Sequence, residues 1–251
     1  MIYSRAAFLT DEDMKEFHTL DGDGWLMSTF KKVCNNGNWI NKTYSLPYFQ
    51  GLKSASLDPT KYGSLLVLDS YYCYNAAITI SIIQVNMYEK RTDYSPMLRD
   101  MDTLVKKYYK FVKSFQSDWH LESDIAIPSV DDAKIFEKLS GSHVDPTKNV
   151  TDYSNFERKE ANEDEPIYAL ISLFTCYEFW PLLFGRFGNS VPDTNVYKNW
   201  IEGNQGGNSA KLLDSMVQKY WLDKGKKLDE IRVRKIFENC LFHEYKMFEE
   251  M

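Results

Sequence analysis

The stretch SLLVLDSYYCYNAAITISIIQ, residues 64–84, decides the fold class because its pattern is typical of a long buried helix and it has no helix-breaking residue inside it. Pro59 precedes it at the first position of a predicted helix, where a missing amide hydrogen costs nothing. A second stretch, YALISLFTCYEFWPLLFGRF at residues 168–187, has the same character. Apolar residues recur at three and four positions through most of the chain, which predicts an all-α protein.

Amphipathic segments flank these two apolar helices. Residues 95–117 place one apolar stripe on a helix whose other face is charged; its members are Leu98, Met101, Leu104, Tyr108 and Val112. Residues 140–165 are polar and carry runs of charge, so they are predicted to form a long surface connection. Both flanks of that connection supply helices with broad apolar faces. We therefore predict a single domain, residues 1–251, built as one helical bundle.

The composition excludes several classes of protein. The 251 residues are 43% hydrophobic and 15% aromatic, which excludes a disordered chain. No uninterrupted apolar run is predicted to be long enough to cross a bilayer, so no membrane association is expected. The formal net charge of −6 has the wrong sign for a protein that coats nucleic acid. A soluble globule is the expectation.

The spacing of the cysteines and histidines indicates the cellular compartment and whether the protein binds a metal. Four scattered cysteines without metal-ligand spacing are typical of reduced intracellular thiols. The N-terminus shows no secretion signal, and we expect a cytoplasmic protein. None of the four histidines forms a Glu-x-x-His pair, so the sequence predicts no metal site of the carboxylate-bridged kind.

Several reactive side chains lie inside the apolar helices, at positions where the helical spacing of apolar residues predicts burial in the core. Asp69 lies within LLVLDSYYCY, and Tyr72, three residues later, is placed on the same face and could share its hydrogen bonds. Cys176 shares a helical face with Trp180, one turn later. Glu244 lies beside an apolar stripe of the last helix.

Each of these residues also has a plain structural explanation. Asp69 could be a core carboxylate satisfied by a neighbouring hydroxyl or amide, and Cys176 an inert buried thiol. Glu244 could simply be exposed to solvent near a polar tail. Convergence of the three on one pocket would instead create a reactive site.

The order of several motifs resembles the TenA (thiaminase II) family. The early motifs are Leu46-Pro-Tyr-Phe-Gln-Gly-Leu-Lys, Leu57-Asp-Pro-Thr-Lys-Tyr and Leu68-Asp-Ser-Tyr-Tyr. The later ones are Phe174-Thr-Cys-Tyr, Tyr197-Lys-Asn-Trp-Ile and Phe242-His-Glu-Tyr-Lys-Met-Phe. The similarity spans nearly the whole chain. It implies a heme-oxygenase-like helical fold and cofactor-free hydrolysis of thiamin or a related aminopyrimidine.

The resemblance also implies roles for individual residues. Cys176 matches the family's nucleophile and Glu244 its proton-handling acid. Asp69 matches the carboxylate that hydrogen-bonds the pyrimidine, and Tyr72 the hydroxyl that supports it. Family members form symmetric dimers or tetramers, so a homo-oligomer is expected.

Three positions depart from the family pattern. Trp180 stands where the family often has tyrosine, and Asn204 stands near the position of a second pocket tyrosine. Leu46 replaces the histidine of the early motif. These departures keep open a non-catalytic protein that binds an aromatic ligand at Trp180 and Asn204, and a metal-dependent oxidase of the same superfamily is the remaining alternative.

Overall fold

The structure is a computed structural model. It describes residues 24–89, 101–106, 108–110, 112, 146–163, 165–188, 191–207, 209–224 and 228–251. These residues form helices and connections with no strand among them, which confirms the all-α prediction. The helices are α1 (Trp25–Asn36), α2 (Trp39–Tyr44), α3 (Pro47–Lys53), α4 (Pro59–Glu89), α5 (Lys148–Ala161), α6 (Ile167–Phe184), α7 (Lys198–Gly203), α8 (Ser209–Lys224) and α9 (Glu230–Glu249).

The chain divides into two compact units. One is Pro59–Ala169, called here the middle unit. The other combines Ile2–Asp58 with Leu170–Met251 and is called the terminal unit. The single domain predicted from the sequence stays a prediction.

The middle unit is built on α4, which begins at Pro59 as the sequence predicts and packs along α5. Asn86 Nδ2 donates to the Ala161 carbonyl at 2.8 Å near the end of this contact. The predicted stripe of residues 95–117 is buried wherever its side chains are described, at Met101, Leu104, Tyr108 and Val112, while Leu98 lies outside the described residues.

The prediction of a surface connection over residues 140–165 is wrong for residues 148–161, which form α5, and residues 140–145 lie outside the described residues. Thr147 begins this helix, since its side chain accepts from the Val150 amide at 3.3 Å. Val150, Tyr153 and Glu157 recur at helical spacing and are all buried. Of the charged residues of α5, Lys148 and Lys159 are exposed, Glu157 is buried and the others are half-buried.

The terminal unit has α1 at its centre, in contact with α2, α8 and α9. Phe30 of α1 packs edge-on against Phe237 of α9, with ring centroids 5.2 Å apart, and against Phe174 of α6 at 5.6 Å. Such edge-to-face pairs stabilise a core beyond the area they bury. This packing fixes α6 and α9, the two helices that carry Cys176 and Glu244.

Two helices approach the length and apolar composition of a membrane span, although Asp69 and Glu178 interrupt their apolar runs. Pro59–Tyr88 and Ile167–Phe187 are both long and apolar enough by length and composition. In each helix 83% of the most apolar window is buried inside the protein, as in the core helices of soluble proteins. The burial explains their apolarity without a bilayer.

Asp214 of α8 supplies the N-terminal cap that α1 lacks in its own sequence. The residue before α1 is Gly24, which has no side chain to cap the helix. The backbone amides of Gly24, Leu26 and Met27 hydrogen-bond to the Asp214 carboxylate instead. A Cβ atom at residue 24 would overlap that carboxylate, so glycine is required by the close approach.

Burial raises the pKa of the Asp214 carboxyl above its ordinary value of 3.8, even though hydrogen bonds from Gln218 and these amides oppose the shift. As the pH rises above about 4, the unfolded chain loses the Asp214 proton while the folded state still holds it. The free energy of unfolding therefore falls with rising pH. We expect the free energy of unfolding of Asp214→Asn, relative to the unsubstituted protein, to increase between about pH 4 and pH 7. Denaturant unfolding across this range measures it. Asp152→Asn, on the exposed face of α5, is the control, and an equal trend there would contradict the prediction.

Candidate functional site

All six residues predicted from the sequence to form the site are buried. They are Asp69, Tyr72, Cys176, Trp180, Asn204 and Glu244, none more than 5% exposed. Asp69 and Tyr72 belong to the middle unit, and the other four belong to the terminal unit. Each group is described separately.

In the terminal unit, Trp180 and Glu244 meet directly. Trp180 Nε1 donates a hydrogen bond to Glu244 Oε2 at 3.0 Å, which joins α6 to α9. Glu244 is fully buried, so solvent exposure as its explanation is wrong. Cys176 lies one turn before Trp180 in α6 and is equally buried. Residues four apart share a helical face, so the thiol and the indole that holds Glu244 lie on one strip of α6.

Aromatic rings surround Trp180. Its ring stacks on Phe184 with centroids 5.5 Å apart and planes 21° apart. Trp200 of α7 meets it edge-on at 6.1 Å, and Phe248 of α9 lies 5.3 Å away. Flat aromatic walls of this kind are the usual environment for a heteroaromatic ligand.

Asn204 lies at the end of α7, next to this ring cluster. It is the residue that follows the last turn of the helix, and its side chain is fully buried. Its Nδ2 donates to the Trp200 carbonyl at 2.8 Å. The amide that stands near the position of a family tyrosine therefore holds the backbone of Trp200.

In the middle unit, the Tyr72 hydroxyl donates to Glu157 Oε1 at 2.7 Å, and the sharing of hydrogen bonds between Tyr72 and Asp69 stays a prediction. A phenol has one O–H to donate, and Glu157 of α5 receives it. The Tyr72 ring also packs on Tyr153 at 5.0 Å. Asp69 Oδ1 accepts a weak hydrogen bond from the Cys73 thiol, with sulfur and oxygen 3.9 Å apart.

Glu157 was not predicted from the sequence as a member of this site. It is fully buried and lies 85 residues from Tyr72 along the chain. The charges of its segment predict a surface connection instead of a helix with a buried face. The spacing Val150, Tyr153, Glu157, with Thr147 as a cap, is the signal that would have identified it.

The predicted convergence of Asp69 with Cys176 and Glu244 links residues of different units and stays a prediction. In the described part of the chain, no group of three or more His, Cys, Asp and Glu side chains is arranged to hold a metal ion. His243 is described, whereas His18, His120 and His143 lie outside the described residues.

Comparison with known proteins adds the fold family. No protein-family model matches the chain, and no curated protein matches it at a significant level. A solved structure that is similar is the TenA homologue protein from P. horikoshii OT3, with a TM-score of 0.63 over 88% of this chain and 96% of that chain. The chain has a TenA-like helical fold. The sequence identity is 16%, so the likeness shows only the TenA-like, heme-oxygenase-like fold. Any activity has to be argued from the residues of the site.

The pairing of Tyr72 with Glu157 predicts a measurable coupling. Tyr72→Phe removes a donor from a buried carboxylate and should lower the free energy of unfolding by about 1–3 kcal/mol. Glu157→Gln should also destabilise, and the double variant should lose less than the sum because both changes remove the same bond. Denaturant titration of the four proteins measures the cycle.

Tyr88→Phe serves as the control, because Tyr88 is on the same helix and 76% exposed. Its effect should stay within about 0.5 kcal/mol. Strictly additive losses for Tyr72→Phe and Glu157→Gln would contradict the coupling.

Proposed function

We propose that the chain is a cofactor-free hydrolase of the thiaminase II type that cleaves thiamin or a related aminopyrimidine at its methylene carbon. The observation that supports this proposal is the Trp180–Glu244 hydrogen bond, which holds a fully buried carboxylate against the face of α6 that carries Cys176. A nucleophile and a proton-transfer group near one another are what covalent catalysis needs. The TenA-like fold adds support from an independent direction.

The proposed reaction begins with addition of the Cys176 sulfur to a ring carbon of the pyrimidine, while a ring nitrogen takes up a proton. The addition breaks the aromaticity of the ring, and its electrons can then expel the leaving group from the methylene carbon. Water adds to the exocyclic carbon that results. The sulfur then leaves, the ring becomes aromatic again, and the products are the hydroxymethylpyrimidine and the released amine or thiazole.

Glu244 is the group proposed to deliver and recover the proton. Trp180 positions it by donating to Oε2, and the indole cannot itself take up a proton in exchange. Phe184, Trp200 and Phe248 exclude water around this pair, which strengthens electrostatic interactions there. The same rings offer a flat surface to the pyrimidine.

Asp69 and Tyr72 are proposed as substrate-binding residues, as the resemblance implies. Asp69 would accept hydrogen bonds from the aminopyrimidine, and its burial at 3% exposure would make these bonds strong. Tyr72 would act through its hydroxyl, which Glu157 orients. Asn204 would position Trp200 for contact with the ring.

Assembly and compartment belong to the same proposal. We propose a cytoplasmic homo-oligomer, a dimer or tetramer, because TenA-like proteins are expected to assemble symmetrically. All four cysteines are free thiols in the structure, which agrees with a reducing compartment.

Activity is tested by incubating the purified protein with thiamin and, separately, with the aminomethylpyrimidine. We expect release of thiazole from the first or ammonia from the second, unaffected by EDTA. Cys176→Ser should lower the rate roughly a thousandfold or more, because it removes the nucleophile. Glu244→Gln should lower kcat by about 10²–10⁴-fold, because it removes the proton-transfer group.

Cys240→Ser is the matched control, since Cys240 is also a fully buried cysteine of the terminal unit. It should retain activity. An unsubstituted protein that releases neither product, or a Cys176→Ser variant as active as the control, would refute the hydrolase.

A second candidate function is a binding protein for an aromatic small molecule. Two hydrogen bonds favour it: Trp180 already engages Glu244 Oε2, and the Asn204 amide is used on the Trp200 backbone. With these groups engaged in structural hydrogen bonds, the surrounding rings would supply most of the contact to a ligand. On this reading calorimetry would show an aminopyrimidine binding to Cys176→Ser as tightly as to the unsubstituted protein, with no turnover in either; a large loss of affinity in Cys176→Ser would count against it.

A further inference from the structure

A cavity of about 500 Å³ opens in the terminal unit, bordered by α1, α2 and the end of α6. Its volume is in the range typical of small-molecule sites. Ile40 and Leu182 give it apolar walls, and Asn35 and other asparagines give it polar ones. None of the residues that carry the proposed hydrolysis lines it.

The cavity lies on a different face of α6 from the proposed nucleophile. Successive residues of an α-helix are about 100° apart, so Leu182 is about 120° from Cys176 by the shorter way round the axis. Cys176 and Trp180, four residues apart, are separated by only about 40°. The helix thus carries the candidate reactive strip on one face and a wall of the cavity on another.

Two consecutive hydrogen bonds connect the polar residues Arg186, Asn41 and Asn38 at the edge of the cavity. Arg186 Nη2 donates to Asn41 Oδ1 at 2.7 Å, and Asn41 Nδ2 donates to Asn38 Oδ1 at 2.6 Å. Asn38 adopts a left-handed conformation with φ of 53°, which asparagine tolerates better than most residues. A guanidinium has five N–H donors, so the bond to Asn41 positions Arg186 without exhausting them.

The lining carries positive charge and no carboxylate. Lys31 of α1 and Arg186 are its two charged members. Arginine and lysine together are the side chains that proteins use for phosphate and carboxylate groups. The cavity therefore matches a ligand that has an anionic end and an apolar or polar body.

Cys34 lines the same cavity but is not set up to react there. Burial, with a smaller contribution from the nearby charge of Glu178, raises the pKa of its thiol to about 11. The thiol stays protonated at neutral pH, and thiols in that form are poor nucleophiles. The site is thus suited to reversible binding.

We propose that this cavity is a binding site for a small organic anion, whose phosphate or carboxylate group is held by Lys31 and Arg186 while its body packs on Ile40 and Leu182. The site is separate from the proposed hydrolysis and does not depend on it. Glu178, near Cys34, opposes the bound charge and limits the affinity.

Calorimetry on the full chain at low salt tests the site with four probes: phenyl phosphate, benzoate, inorganic phosphate and uncharged benzyl alcohol. We expect phenyl phosphate or benzoate to bind, and whichever binds more tightly identifies the anionic group. Inorganic phosphate should bind more weakly than phenyl phosphate, since it lacks a body to pack on the apolar walls. Benzyl alcohol should show no binding.

The variants separate this site from its surroundings. Lys31→Gln and Arg186→Gln should each weaken anion binding about tenfold, because each removes a charge-assisted contact. Glu178→Gln should tighten it by about two- to fivefold, a direction that misfolding would not produce. Lys211→Gln and Arg234→Gln are the matched controls on α8 and α9 and should leave affinity unchanged, as should Cys176→Ser.

Three results would overturn the proposal: no binding of either organic anion, equal binding of benzyl alcohol, or equal weakening in the control variants. If inorganic phosphate bound as tightly as phenyl phosphate, the claim that the ligand has an organic body packed on the apolar walls would be wrong. A failure here would leave the proposed hydrolase standing, because the Cys176→Ser comparison is made with a different substrate and readout.

Discussion

The hydrogen bond from Trp180 to Glu244 is the interaction on which the candidate site depends. A carboxylate withdrawn from water is costly unless a donor reaches it, and here the donor comes from another helix. The bond therefore fixes α9 against α6 at the turn next to Cys176. Phe184 and Phe248 pack on the indole and keep the pair dry, so the ring cluster and the acid stabilise one another. Without the rings the bond would compete with water, and without the bond the buried acid would lose a hydrogen-bond donor.

Both units bury a glutamate against an aromatic donor, Glu244 with Trp180 and Glu157 with Tyr72. A neutral donor differs from an arginine or lysine in what it does to the acid. A cation at this distance would hold the carboxylate in its ionised form. An indole or phenol satisfies one carboxylate oxygen without itself adding a charge. At Glu244 this agrees with the proposed proton-transfer role, and at Glu157 the bond orients the Tyr72 hydroxyl.

The fold class could be predicted from the sequence because Pro59 and the apolar run after it are local signals, and the structure begins α4 at that proline. Helix α5 was missed because the charges of its exposed face dominate the composition, although Thr147 and the spacing of its buried residues were present. Glu244 shows a different limit of prediction from sequence, because its burial depends on packing between helices. Its position beside an apolar stripe allows burial or exposure equally well, and only the packing of α9 on other helices decides between them. No local pattern connects Tyr72 to a partner 85 residues away.

Helix α6 and the turn that follows it contribute residues both to the candidate hydrolysis site and to the basic cavity. Pro181 lies inside the helix, directly after Trp180. Proline has no amide hydrogen, so the carbonyl four residues earlier loses its intrahelical donor and the ladder is interrupted at that turn. Trp180, directly before the proline, packs in the aromatic cluster. The residues after it turn Leu182 and Arg186 to the basic cavity, and the helix ends at Phe184 in a short 3₁₀ turn that carries the arginine outward to solvent. Phe184 also follows Pro181 and stacks on both Trp180 and Phe187, so the ring cluster extends into the turn that carries Arg186.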